Sequence, residues 1–237
     1  MNRIFTFVLL AATAFAAPAR AEETAPAVST TLTLSYDSRY VLYGYRLSRH
    51  LFHGDVYLAY PLDEQTTVWG GGWYGYLTDG TYNELDIYGG IDRMLNEFLT
   101  VGFQYSLFNY LEVPFETSDQ VHEFAVHGTV AFDAFSFSLR DQYDTEAEGH
   151  LVRGIAGYTQ AATDALSISL ECEAGYALEY FIEGNRWNHA LVTLETPYAF
   201  NASTAITPFV SRSIPLAAID DFEQYETVFG ASVSVSF

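Results

Sequence analysis

From Ser29 onward, apolar and polar residues alternate with a period of two, in runs cut at intervals that suit strands of roughly 9 to 12 residues. A helix needs a period of 3.6, so this pattern excludes a helical fold. Twelve runs are present, near Thr30–Asp37, Leu51–Tyr60, Thr66–Leu77, Tyr82–Met94, Phe98–Tyr110, Val121–Phe132, Phe135–Tyr143, His150–Ala161, Leu166–Phe181, Trp187–Phe200, Ser203–Ser213 and Tyr225–Phe237. The breaks between them alternate in length. Pro61–Gln65, Leu95–Glu97, Asp133-Ala134, Ala162–Ala165 and Asn201-Ala202 are tight, whereas Ser38–His50, Leu111–Gln120 and Ile214–Gln224 are long. Thr78–Thr81 and Asp144–Gly149 are short for the long-loop side.

The two faces of each run differ in chemistry. In the last run Phe229, Ala231, Val233, Val235 and Phe237 oppose Gly230, Ser232, Ser234 and Ser236, while Leu85, Ile87 and Ile91 oppose Glu84, Asp86 and Asp92. A soluble sandwich core would not accept so many inward carboxylates. One face against hydrocarbon and one against a polar lumen accounts for both, and short turns at one rim with longer loops at the other complete the pattern of a transmembrane barrel. The expected fold is therefore all-β, an antiparallel transmembrane β-barrel of twelve strands, with ten as the alternative count. An open sheet edge in lipid would leave backbone groups unpaired at several kcal/mol each, so the first and last strands should pair. Tyr60, Phe98, Phe132, Phe135, Tyr158, Tyr198, Phe200 and Phe237 form the candidate girdle at the short-turn rim, and Tyr36, Tyr76, Tyr82, Tyr143, Tyr180, Trp187 and Tyr225 the one at the other.

The first 21 residues read differently. Arg3, an apolar run from Ile4 to Ala16 and Ala19-Arg20-Ala21 have the form of a secretory leader with an A-x-A cleavage site, leaving residues 22–237 as the barrel. The expected address is a bacterial outer membrane, with its lipid and lipopolysaccharide as surroundings. Thirty acidic residues face ten basic ones, all arginine, for a formal net charge of −20. Nucleic acid is thereby excluded as a partner, and the acidity serves either solubility or the attraction of cations. Cys172 stands alone, so no intramolecular disulfide can form, and a packed or lipid-facing position suits it.

The inward faces carry the candidate lumen residues Glu84, Asp86, Asp92, Glu123, Arg140, Glu171, Glu173 and Glu195, together with His127. For Arg153 two faces compete, and the lumen is favoured because an arginine at the bilayer midplane costs about 2–4 kcal/mol. Two readings of this set stay open: a charged constriction, or ion pairs such as Arg153 with Glu171 or Glu173 that fill the lumen and stiffen the wall. No G-x-S-x-G elbow occurs, and His50, His53, His122, His127, His150 and His189 lack metal-ligand spacing, so neither an enzyme, a metal nor a cofactor is expected. Asp220, Asp221 and Glu223 form an acidic loop, and Gly70-Gly71-Gly72 lies within a strand, where it permits bending or close packing of aromatics.

Two segments resemble known families. A terminal Phe closing an alternating strand, here Phe237, is similar to the assembly signal that the barrel-insertion machinery reads in outer-membrane proteins. The stretch Asp37-Ser38-Arg39-Tyr40-Val41-Leu42-Tyr43-Gly44-Tyr45-Arg46-Leu47-Ser48 resembles the SDYVFRGxSxS opening of the TorF-type porin family. Trp69–Tyr76 and Glu84-Leu85-Asp86-Ile87-Tyr88-Gly89-Gly90 fit the aromatic, Gly-rich and acidic strands that follow it there. The chain departs at the family's Arg-Gly pair, which is Tyr43-Gly44 here, with Arg46 two places on. The resemblance implies a barrel and a channel. The expected function is thus a porin-like channel for passive diffusion of small polar solutes or ions, cations preferred. A scaffold barrel with a closed lumen is the alternative, and a lipid-modifying barrel enzyme a third reading.

Overall fold

The structure is a computed structural model that describes residues 27–79, 82–111 and 120–237. The expected leader, residues 1–21, lies outside the described residues, as does most of the Leu111–Gln120 loop. Among the described residues fifteen strands follow one another: β1 Ser29–Asp37, β2 Tyr40–Leu42, β3 Tyr45–Ser48, β4 Leu51–Pro61, β5 Thr66–Leu77, β6 Asn83–Met94, β7 Leu99–Leu111, β8 Gln120–Phe132, β9 Phe135–Asp144, β10 Gly149–Ala161, β11 Ser167–Leu178, β12 Asn185–Glu195, β13 Tyr198–Ala199, β14 Thr204–Pro215 and β15 Glu226–Ser236. Twelve of them form a closed antiparallel ring. Each pairs with its neighbours in the order β4 through β12, then β14, β15 and β1, which returns to β4. β13 is a two-residue extension against β14, and β2 and β3 form a separate hairpin. The twelve-run reading holds, and ten is excluded.

Closure is the step that the physics of lipid demands, and β1 makes it with β15 from Thr31↔Ser236 to Asp37↔Gly230. Ser38 N–H donates to the Phe229 carbonyl at 2.8 Å at one end, and Phe237 N–H to the Thr30 carbonyl at 2.9 Å at the other. Following the registers once around returns to β1 displaced by about 16 residues, a shear that with a ~4.8 Å strand spacing sets a tilt near ~43° and a backbone diameter near ~25 Å.

The outward face is the apolar one. Leu34, Ile87, Val126, Leu139 and Phe229 stand exposed on it, as does Cys172. The expected girdle residues Tyr60, Phe98, Phe132, Phe135, Tyr198 and Phe200 are exposed at the short-turn rim, and Tyr36, Tyr76, Trp187 and Tyr225 at the other, whereas Tyr82 and Tyr180 turn inward and are buried. A Cβ at Gly71 on the glycine-rich β5 would lie 2.5 Å from the Tyr88 hydroxyl, and one at Gly90 on β6 2.5 Å from the Trp69 ring. The glycines therefore make room for the Tyr88 and Trp69 rings against the inner wall.

Leu139 sits at mid-strand and is 62% exposed. Leu139→Arg should lower stability by about 2–4 kcal/mol in denaturant unfolding from lipid vesicles. No change would mean that this face is not in hydrocarbon.

Candidate functional site

The bore is not left to wall side chains. Tyr43-Gly44 forms a two-residue turn in which both φ angles are positive, 47° and 89°, and Leu42 pairs with Tyr45 across it. Those are the requirements of the tight hairpin turn whose twist matches its strands. The β2–β3 hairpin touches the ring on several sides. Tyr40 Oη donates to Glu84 Oε2 on β6 at 3.3 Å, and Gln142 Nε2 on β9 donates to Tyr43 Oη at 2.6 Å. The Arg153 guanidinium on β10 lies 4.9 Å over the Tyr43 ring, and Tyr43 stands 6.0 Å from His189 on β12. On β15, Glu226 pairs with both Arg39 and Arg46 at 3.1 Å. A segment that meets β6, β9, β10, β12 and β15 crosses the bore. Sheets pack about 10 Å apart face to face, so a ribbon with wall on both faces needs about 20 Å, which a barrel of this width supplies.

Around the hairpin the outer half of the bore has an apolar core. Leu42, Tyr43 and Tyr45 pack with inward-facing Leu51, Leu77, Phe108, Tyr110, Val121 and Leu151, and with Tyr180, Ala218 and Ile219 from the loops. The sequence reading placed a polar lumen here and missed this core. The long loop Ser38–His50 is the one that carries the inward hairpin. The available signal was Tyr43-Gly44 between short apolar runs, which is a hairpin signature.

The candidate lumen residues fall into two groups. Glu84, Asp86, Glu123, Arg140, Arg153 and Glu173 face inward and are buried beside or beneath the hairpin. Arg140 and Arg153 sit directly opposite each other on β9 and β10. Two cations so placed repel, and each has its own carboxylate: Arg140 with Glu123 at 3.1 Å, Arg153 with Glu173 at 3.1 Å. Arg140 also donates to Gln104 Oε1, and Glu173 takes a further contact from His189 Nε2 at 2.9 Å. The register shift between Gly175 and Tyr176 sets His189 opposite Gly175, where a Cβ would meet the imidazole at 2.5 Å. The second group, Asp92 and Glu171, lies nearer the short-turn rim and is partly exposed, with Asp92 3.1 Å from His127 Nε2; Glu195 is buried. Threonine–serine pairs line the wall there, Thr129–Ser138, Thr159–Ser169 and Thr193–Ser211, at 2.8–2.9 Å.

A cavity of about 30 Å³ remains between Val41, Tyr43, Gly44, Glu173, His189, Leu191 and Ser213. It brings a serine, a histidine and a carboxylate together, but among the described residues Ser213 Oγ has no hydrogen-bond partner and His189 bonds only through the nitrogen facing Glu173. The nucleophile–base contact of a triad is not made. Among the described residues no group of three or more potential ligands could hold a metal ion.

No protein-family model and no curated protein sequence matches the chain. Solved structures do match its fold. An outer membrane channel from Pseudomonas putida F1 aligns with a TM-score of 0.58 and 9% identity over 94% of this chain and 100% of that one. The KdgM porin aligns at 0.54 and 12% over 88% and 99%, and the NanC porin at 0.55 and 10% over 87% and 98%. At such identities the likeness is one of fold, that of an outer-membrane barrel.

Two outcomes follow for the hairpin. A Cβ on Gly44 would lie 2.4 Å from Ile219 Cδ1 and 2.9 Å from His189 Cβ, at a φ that already disfavours side chains. Gly44→Ala should therefore unseat the turn at a cost above about 1 kcal/mol, read as faster amide exchange over residues 40–48 in the folded barrel; unchanged exchange would contradict the seating. The second concerns pH. In the β14–β15 loop, burial raises the Glu223 carboxyl above the usual range, against a lowering by the Arg46 N–H it accepts at 3.2 Å and by the Arg46 charge, with Glu226 adding to the rise. The seated state thus binds the proton more tightly than a released one. Lowering the pH toward the ordinary glutamate value of about 4.3 should favour seating, and raising it should loosen the hairpin. Exchange protection corrected for intrinsic rates should show this trend and lose Glu223's share of it in Glu223→Gln; a trend of opposite sign would refute the assignment.

Proposed function

We propose that this protein is a porin-like channel of a bacterial outer membrane, passing small polar solutes or ions by diffusion with cations preferred, and that the β2–β3 hairpin gates it. The observation that carries this reading is that the hairpin fills the bore without being part of the wall. Every wall strand pairs with two others, so the ring stays closed when the hairpin leaves. A barrel meant only to be solid could be filled by wall side chains at a smaller strand number. The hairpin is held by separable contacts, the Arg39 and Arg46 pairs to Glu226 and the Gln142 bond to Tyr43.

Cation preference rests on Asp92 and Glu171, partly exposed on the short-turn side, and on Glu195 beside Glu171 on the adjacent strand. The rest of the reading accompanies this one: a leader of residues 1–21 removed on export, a mature barrel of residues 22–237, Phe237 as the assembly signal, outer-membrane lipid and lipopolysaccharide around the wall, and TorF-type membership. The fold likeness to channels and porins supports the class of function. A scaffold reading draws its support from the buried pairs Glu123–Arg140 and Arg153–Glu173–His189, which brace the wall.

Planar-bilayer recording separates the two. Arg39→Ala/Arg46→Ala removes both pairs to Glu226, each worth up to about 1 kcal/mol at this exposure, and should raise open time several-fold over the unmodified protein. In a KCl gradient the reversal potential should report cation selectivity and move toward anions in Asp92→Asn/Glu171→Gln/Glu195→Gln. A silent double variant would leave the scaffold reading, and an unmoved potential would remove those acids from the path.

A further inference from the structure

The outward face carries a second pattern that the channel does not use. The six histidines divide evenly. His53, His127 and His189 face the lumen, while His50, His122 and His150 face outward, all at the long-loop rim. Each outward imidazole is held against an aromatic ring of the adjacent strand. Tyr36 Oη meets His50 Nδ1 at 2.9 Å, and Tyr105 Oη meets His122 Nδ1 at 2.8 Å, both with the rings stacked at 6.0 Å. His150 lies 5.1 Å from the Tyr143 ring, with Nδ1 3.0 Å from Asp141. A fourth outward basic group repeats the theme, Arg212 at 5.3 Å over the Tyr225 ring with a bond to Thr227 Oγ1. These pairs sit on β1/β4, β7/β8, β9/β10 and β14/β15, spread around the ring.

With Nδ1 engaged, Nε2 is the edge each imidazole turns to its surroundings, and no protein group meets it among the described residues. The opposite rim is built otherwise. Its outward ring is Tyr60, Phe98, Phe132, Phe135, Tyr158, Tyr198 and Phe200, all without a histidine, and its outward cation among the described residues is Arg93, bound to Thr66. In a chain of net charge −20, basic groups are scarce, and their placement on the lipid-facing side of one rim requires a reason.

We infer that His50, His122 and Arg212, with His150 in a lesser part beside the Asp141 carboxylate, form a belt that docks the phosphorylated headgroups of the outer leaflet. The inference rests on the proposed outer-membrane location, in which the longer loops face outside. Charge complementarity fits an anionic headgroup: N–H donors at the interface, set by aromatic rings whose apolar bodies lie among the acyl chains. The acidic loops beyond, with Asp220, Asp221 and Glu223, would repel a free anion, so the acyl chains must carry the phosphate to the belt.

The test is native mass spectrometry of the full-length folded protein in neutral detergent, titrated with bisphosphorylated lipid A, the same lipid stripped of phosphate, and inorganic phosphate. Unmodified protein should retain the phosphorylated lipid about tenfold more tightly than the stripped one, with inorganic phosphate failing to compete. His50→Ala/His122→Ala/Arg212→Ala should lose that preference, and Tyr36→Phe/Tyr105→Phe, which keeps the rings but frees the imidazoles, should lose part of it. Equal binding of both lipids, or full retention by the triple variant, would overturn the belt, and competition by inorganic phosphate would overturn the lipid as its occupant. Heat-modifiable migration on gels checks each variant for a folded barrel. A protein that folds and conducts but shows no lipid preference sinks the belt alone, whereas one that does not insert into lipid vesicles sinks the outer-membrane reading beneath it.

Discussion

Backbone pairing in an apolar surround governs this structure more than any side-chain contact. Where no water can satisfy an N–H or C=O, a sheet has to close, and the bonds between β1 and β15 remove its last open edge. Closure with twelve strands and this register sets the width of the bore, and the width sets the next problem. A barrel of about 25 Å is too wide for its own inward side chains to fill and fits one β-ribbon between its walls. The β2–β3 hairpin occupies that space.

Seating the hairpin has local costs. Tyr43 holds a positive φ, which is uncommon for a residue with a bulky side chain and costs of order 1 kcal/mol. What holds it there is a convergence of wall groups, the Gln142 amide on its hydroxyl and the Arg153 guanidinium on its ring. Arg153 thus has two tasks, since it also neutralises Glu173 and separates that carboxylate from Glu123, which Arg140 holds. The charged residues of the outer lumen form the socket of the hairpin, and of those nearer the short turns Asp92 and Glu171 are partly exposed while Glu195 is buried. The two readings of the lumen charges, filling or lining, apply to different halves of the same bore.

Much of the wall was legible in the chain because a period of two with one apolar face leaves a strand no freedom of register. β5 was read at both ends as Thr66–Leu77, and the inward assignment of Glu84, Asp86 and Glu123 followed from parity alone. Parity could not settle Arg153, whose strand offers Val152 and Leu151 to opposite faces. The structure turns Leu151 inward, into the apolar core around the hairpin. The inward course of the hairpin was hidden for a different reason. Its contacts join Tyr40 to Glu84 and Tyr43 to Gln142, residues far apart in the chain, and nothing in a local pattern tells an inward loop from an outward one. Tyr82 and Tyr180 were placed in the girdle by their position near the long-loop rim, and their inward turn belongs to the same core.

The inner and outer faces divide the few basic groups between two tasks, arginines and three histidines inside beside carboxylates, and three histidines with Arg212 outside at one rim. Both arrangements depend on the wall being complete and the hairpin being dispensable to it. Single-channel conductance of a chain in which residues 40–48 are replaced by a short Gly-Ser linker tests this directly. The excised barrel should fold and conduct continuously, while the unmodified protein dwells mainly closed. A folded excised barrel with the same conductance as the unmodified protein would contradict the account.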